Sequence, residues 1–479
     1  MSLFSDRLRS LMEERETTPY LLSKATGVER TFLHKIATGT RLPADPAMVD
    51  QLALALALTP DQGEDLRRCY LISRVGEKTY YRRQAVREML ENIAPPPAPS
   101  APRHPPEWDL PSACHGVAQV RGLVKAVLDQ ESGAGGGFVK LMAQPDSEFL
   151  LKLLQTASAA APTLDVTHIL CFDNTSQAAR HNIVSLTRTI PTLLSCNRYW
   201  AYYYHSDAGA VFGRMAPFPV LLVTSRCAVQ ISSDYASALC MCAPGPAYDL
   251  LLSRFDECLG QCRPLVRPLE DLAACMQSAT GFDHSILQGE ADEFYVLSPE
   301  FCYAPYLTPE ICQRAIDPDL PGRDALIAAL EQHVTVIRGA IERFPIRHFS
   351  TEAGLRRFLA TGRLTDLPEA LYRPLPPEDR KFLLSRFLDH AEGSELCGLD
   401  LYDPEVLHFS QRMVFTVEPS SHQVLLNYAH PSRGLLALSI QEPTVVHAIT
   451  DYFSSLAEDP VVLSKAESIA RVRALLDRA

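Results

Sequence analysis

The sequence predicts an all-α N-terminal bundle, a proline-rich linker and a large α/β or α+β C-terminal region that carries signs of an internal duplication. Three observations predict it. Apolar residues recur at helical spacing up to about residue 73. Half of the positions from 94 to 107 are proline. From residue 108 onward, short apolar runs alternate with amphipathic stretches.

The helices follow in order. Leu3, Phe4, Leu8 and Leu11 recur at i, i+3/i+4 and i+7, one face of a helix. Thr18 is a good N-cap and Pro19 suits the first helical position, where a missing N–H costs nothing. Leu21, Leu22 and Ala25 give this second helix an apolar face, and Gly27 stops it. Val28, Phe32, Leu33 and Ile36 predict a third helix, closed by Gly39. Leu52, Ala53 and Leu56, then Leu66, Tyr70 and Leu71, predict two more. Two short helices joined by a tight glycine turn inside such a bundle describe a helix-turn-helix.

The run from Leu22 to Pro43 (LSKATGVERTFLHKIATGTRLP) strongly resembles the lambda-repressor-like, Xre-type family of DNA-binding regulators, and the resemblance spans residues 3 to about 73. Ser23, Pro19 and Ala37 depart from the family's usual residues. The resemblance implies that Val28, Leu33 and Ile36 are core. It implies that Glu29, Arg30, Thr31, His34 and Lys35 face outward on a recognition helix, with Thr18 and Arg41 at the DNA backbone. Arg reads guanine bidentately, and Lys and Thr more often hold phosphate. The plainer alternative is a solvated helix face turned to protein contact.

Charge divides along the same lines. The 479 residues carry a formal charge of -12. Residues 1–93 hold 14 Lys+Arg against 13 Asp+Glu, and the remainder holds 31 against 44. An acidic chain cannot coat nucleic acid along its length, so a DNA partner must meet the N-terminal part. Glu77 to Glu91 predicts a connecting helix. The segment 94–107 should be extended polyproline, about 3.1 Å per residue and roughly 40 Å in all. The expected divisions are a helical domain over 1–75, a connecting helix over 76–93, the linker over 94–107, and α/β lobes over 108–265 and 266–479.

Within the C-terminal part, Val166–Phe172 reads as a buried strand and Tyr199–Tyr204 as an aromatic one. Val220–Thr224 and Ala228–Ile231 form a hairpin pair, followed by a helix over 248–262. Met413–Val417, Gln423–Asn427 and Leu435–Ile440 read as strands, followed by helices over 443–456 and 463–476. Tyr248–Phe255 parallels Val446–Phe453, since both follow a strand hairpin and end in an aromatic residue. This two-lobed order faintly resembles the phospholipase-D-like fold, which some regulators use as a sensor. That family needs His-x-Lys, and no such triplet follows residue 108. The resemblance therefore implies a catalytically dead sensor, and no catalytic residue is assigned.

Asp173 and Asn174 follow the carboxyl end of a buried strand, the edge where open α/β sheets bind ligands. Ordinary capping explains them equally well. Strand alternation places Trp200, Tyr202 and Tyr204 on one face and Tyr199, Tyr203 and His205 on the other. The first face is the candidate ligand wall, with plain core packing as the alternative. Cys240, Cys242, Cys258 and Cys262 do not match a zinc ribbon, so no metal site is expected. The 13 cysteines lack the spacing of a disulfide framework and fit reduced thiols in a cytoplasm. No signal peptide, membrane span or cofactor is expected. The expectation is a DNA-binding transcriptional regulator, a homodimer on double-stranded DNA with a small-molecule or protein effector. The alternatives are an enzyme with a regulatory helix-turn-helix, or a protein-interaction module of a defence or mobile-element system.

Overall fold

Capping chemistry sets the first helices. In a computed structural model describing residues 2–95, 110–175, 178–213, 217–269, 293–367, 369–418, 423–430 and 434–478, α1 (Leu3–Glu14) begins with a capping box between Ser2 and Ser5. The Thr18 hydroxyl caps α2 (Pro19–Thr26), which ends at Gly27 in the left-handed conformation (φ 72°). α3 (Arg30–Ala37) follows, then α4 (Pro46–Ala55), capped by Asp45, and α5 (Pro60–Val75), with a Thr59–Gln62 capping box. Phe4, Leu8, Leu22, Leu33, Ile36 and Tyr70 are buried together, and the Phe4 and Tyr70 rings meet edge to face at 5.8 Å. Val28 is partly buried against this cluster. Gly39 also has a positive φ (75°), and a Cβ there would come within 2.8 Å of Ser5 Oγ.

The chain forms two compact units, Met1–Ala85 and Val86–Ala479. Their boundary falls within α6 (Glu77–Glu91), upstream of the proline-rich segment. In the second unit Val86, Met89 and Leu90 are fully buried, and the Arg87 guanidinium donates to the Val406 carbonyl at 2.9 Å. Of the predicted linker, residues 96–107 lie outside the described residues.

The second unit opens with β1 (Ala113–His115), α7 (Val117–Gly133), β2 (Phe138–Met142), α8 (Glu148–Ala160), β3 (Asp165–Asp173), α9 (Ala178–Ser195) and β4 (Tyr199–Ser206). A short α10 (Ala208–Phe212) precedes β5 (Val220–Thr224), β6 (Cys227–Ile231), β7 (Ser237–Cys242), α11 (Pro246–Leu259) and β8 (Arg263–Leu269). The chain continues through β9 (Phe294–Leu297), α12 (Pro309–Ala315), α13 (Arg323–Ile341), β10 (Ile346–Ser350), α14 (Glu352–Thr361), α15 (Pro377–Gly393) and β11 (Cys397–Leu401). It closes with β12 (Met413–Glu418), β13 (Gln423–His430), β14 (Gly434–Ile440), α16 (Pro443–Leu456) and α17 (Lys465–Arg478).

These strands form one 14-stranded sheet, in the order β1-β7-β6-β5-β2-β3-β4-β8-β14-β13-β12-β9-β10-β11. The order 7-6-5-2-3-4 therefore recurs as 14-13-12-9-10-11, which is the architecture of a duplication. In each half three parallel strands adjoin an antiparallel hairpin pair, and a helix, α11 or α16, follows the last hairpin strand. β4 and β14 both pair antiparallel with β8. The boundary expected at 265/266 therefore falls inside β8, and the two lobes share a continuous sheet. α11 sets Phe255 against Leu221 and Val223. At the equivalent place α16 stacks Phe453 on Tyr295 and Phe415. Among the described residues, no helix is long and apolar enough to cross a membrane.

Candidate functional site

The helical unit presents one polar surface built on α2 and α3. Thr18, Glu29, Arg30, Thr31, His34, Lys35 and Arg41 are all exposed, while Leu33 and Ile36, on the opposite side of α3, are buried. Helical spacing produces this division, since positions 30, 31, 34 and 35 share a face away from 33 and 36. Tyr20 and Leu21 add exposed apolar area, and the Arg30 guanidinium lies 6.0 Å from the Tyr20 ring centre. Thr31 donates to Glu29, which ties down the start of the helix. Thr18 is held as the α2 cap, accepting from the Leu21 N–H at 3.4 Å.

Asp173 and Asn174 are placed differently from a convergent ligand pair. Asp173 is buried, and Asn174 is exposed. Burial pushes the Asp173 carboxyl up, but the Thr175 hydroxyl and N–H and the Ala208 N–H outweigh it and hold the acid below its ordinary range. The Asn182 side chain bridges the Asp173 backbone, accepting from its N–H at 2.8 Å and donating to its carbonyl at 3.2 Å. These contacts close a turn after β3 and tie its end to α9.

The aromatic strand alternates as expected, but its candidate ligand face is occupied by protein. Tyr202 and Tyr204 pack into the cluster under α11, with Phe138, Met142, Cys258 and Cys262. Both are half-buried there, beside Tyr248 and Phe255 of α11. Trp200 is half-buried on the same face. Cys240 and Cys242 share one face of β7, but Cys240 is buried and Cys242, at the strand's end, is exposed. Among the described residues, no group of His, Cys, Asp and Glu could hold a metal ion.

Sequence reading missed a cavity of about 200 Å³ in the second lobe. Its floor is sheet, from Phe294 and Val296 of β9, Val414 and Thr416 of β12, and Leu425 and Asn427 of β13. α13 covers it with His333, Ile337, Ala340 and Ile341. One end is polar and carries Ser298, Glu300, Cys302 and Asp366. Glu300 is buried and already committed. Its Oε2 pairs with Arg357 Nη2 at 2.8 Å, and both oxygens accept from Thr365. Burial still raises its pKa, against the pull of Thr365 and Arg357.

Burial, then the charge of Glu300, pushes Asp366 up to about 6, while His333 pulls it down. Burial and the neighbouring Asp366 push the Cys302 thiol up to about 12, which disfavours its thiolate. Ser298, Glu300 and Cys302 share one short segment, but His333 and Asp366 come from elsewhere in the chain, so nothing in the sequence marks them as one site.

Compared with known proteins, the chain matches no family model and no curated relative. Among solved structures it is similar to a polyphosphate kinase from Porphyromonas gingivalis, at 9% identity and a TM-score of 0.23. That likeness covers 74% of this chain and 54% of the kinase, so the chain spans about half the length of the structure it matches.

Proposed function

We propose that the chain is a sequence-specific DNA-binding transcriptional regulator whose N-terminal helices form a helix-turn-helix and whose α/β unit senses an effector. The observation that carries this reading is the surface of α3, where Arg30, Thr31, His34 and Lys35 stand exposed over a buried Leu33 and Ile36. Such a helix offers Arg for base edges and Lys and Thr for phosphates. The N-terminus of α2, with the Thr18 hydroxyl and the Tyr20 N–H, adds a place suited to a phosphate. The region's charge balance is close to zero, so a single copy makes few phosphate contacts. A homodimer on two half-sites supplies the missing affinity.

The test is to incubate the full-length protein with random duplex DNA at low salt and sequence what is retained. Enrichment of a paired motif supports the reading. Uniform recovery of all sequences, or none, counts against it.

A further inference from the structure

We propose that the cavity under α13 binds a small organic amine, with an aromatic or alicyclic body among the apolar walls and an ammonium group facing Asp366. This deepens the proposal that the α/β unit is the sensing half, and rests on it. Three observations support the inference.

The first is how the space is built. In lobe 1, α11 covers one side of the sheet, and β5 and β6 also carry α7, whose Val120, Leu123, Val124 and Val127 are buried. In lobe 2, α16 stacks on Tyr295 and Phe415, while the pocket is lined by the neighbouring Phe294, Val296, Val414 and Thr416. Neighbouring strand residues face opposite sides, so the pocket lies on the sheet side away from α16. There the C-terminal half of α13 leaves a cavity of about 200 Å³. A cavity of about 150 Å³ holds a benzene ring, so this one admits a ring with a short side chain.

The second is its polarity. The walls are mainly phenylalanine, isoleucine, valine and leucine, with Thr416 and Asn427 in the floor, and the ionisable groups Glu300, Cys302 and Asp366 lie together. This is the layout of a site that takes an apolar body and fixes one polar end.

The third is the sign of that end. It holds two carboxyls, Glu300 and Asp366. Arg357 and Thr365 satisfy Glu300, which leaves Asp366 as the acid available to a guest. An anionic guest would meet both acids. A cationic guest gains a counter-ion and also relieves the repulsion that Glu300 imposes on Asp366. His333, across the end, is the group a cation must accommodate.

Calorimetric titration and thermal unfolding of the full chain test this with phenethylamine, 2-phenylethanol and phenylacetate, three molecules of near-identical shape. Phenethylamine should raise the unfolding temperature and bind at least about tenfold more tightly than the other two. Asp366→Asn should abolish that preference, and Ala340→Leu, which fills the space, should weaken all binding. Should Asp366→Asn fail to fold, the comparison of the three molecules on the native chain still decides. Equal binding of the three, or no amine binding up to about 1 mM, overturns the proposal. DNA retention, scored in parallel without amine, separates this failure from failure of the regulator reading. If amine binds and DNA binding is unchanged by it, the pocket stands and the sensing role falls.

Discussion

His205 Nε2 lies 3.0 Å from the carboxylate of Glu442, a fully buried acid that joins the two lobes. The other Glu442 oxygen caps α16, accepting from the Val445 N–H and the Thr444 hydroxyl, each at 2.7 Å. Thr444 in turn accepts from Asn182 of α9. Glu442→Ala removes a helix cap, worth about 1 kcal/mol, and leaves buried donors unpaired at about 1–3 kcal/mol. Urea unfolding of the α/β unit should therefore show a loss of about 2–4 kcal/mol. A loss under about 0.5 kcal/mol, the size of an ordinary surface change, would show that the junction does not depend on it.

Stability should also fall with acid through His168. This fully buried ring donates from Nε2 to the Ala143 carbonyl at 3.0 Å and accepts from the Tyr199 hydroxyl at Nδ1, which fixes the neutral form. Burial lowers its pKa to about 4. The unfolded chain protonates near 6.5 and the folded chain only near 4, so the contribution is full above about 6.5 and drains away as the pH falls towards 4. Asp366 and Asp400, pushed up to about 6, act with the opposite sign and stabilise at lower pH. A difference measurement isolates the histidine. The stability gap between the native chain and His168→Gln should narrow by about 3 kcal/mol from pH 7 to pH 4. A constant gap would contradict burial of a neutral ring.

Two glycines of the helical unit should respond unequally to alanine. At Gly27 a Cβ meets nothing within 4 Å, so Gly27→Ala costs only the left-handed backbone, about 1–2 kcal/mol. At Gly39 the same backbone cost is joined by a clash with Ser5 Oγ, a member of the α1 capping box. Gly39→Ala should lower the unfolding temperature of the helical unit more than Gly27→Ala. Equal losses would show that the Ser5 contact relaxes freely.

How much of this was legible in sequence follows from how each element announces itself. Val220–Thr224 is wholly buried and reads as a continuous apolar run, so its bounds were legible. Pro443–Leu456 was legible from proline at its start and apolar residues at helical spacing. β10 and β11 were not, because Arg347, His348 and Asp400 break their apolar pattern. Pairing explains them only afterwards, when register sets Arg347 near Asp400 at 3.1 Å. The aromatic strand is legible from its composition, but alternation shows only that the face of Trp200, Tyr202 and Tyr204 is apolar and not what covers it. α11 packs beside it, with Tyr202 and Tyr204 half-buried against its core. The cavity was invisible because Ser298–Cys302, His333 and Asp366 converge only through tertiary packing.

The most direct measurement is electrophoretic retention of a selected duplex by the full chain, set beside the Arg30→Ala/Lys35→Ala double variant. Both side chains are exposed, so the variant should unfold at the native temperature. The native protein should retain the duplex, releasing it as salt rises, and the variant should bind at least about tenfold more weakly. Equal retention by both proteins, or none by the native chain at low salt, would contradict a DNA-reading role for α3.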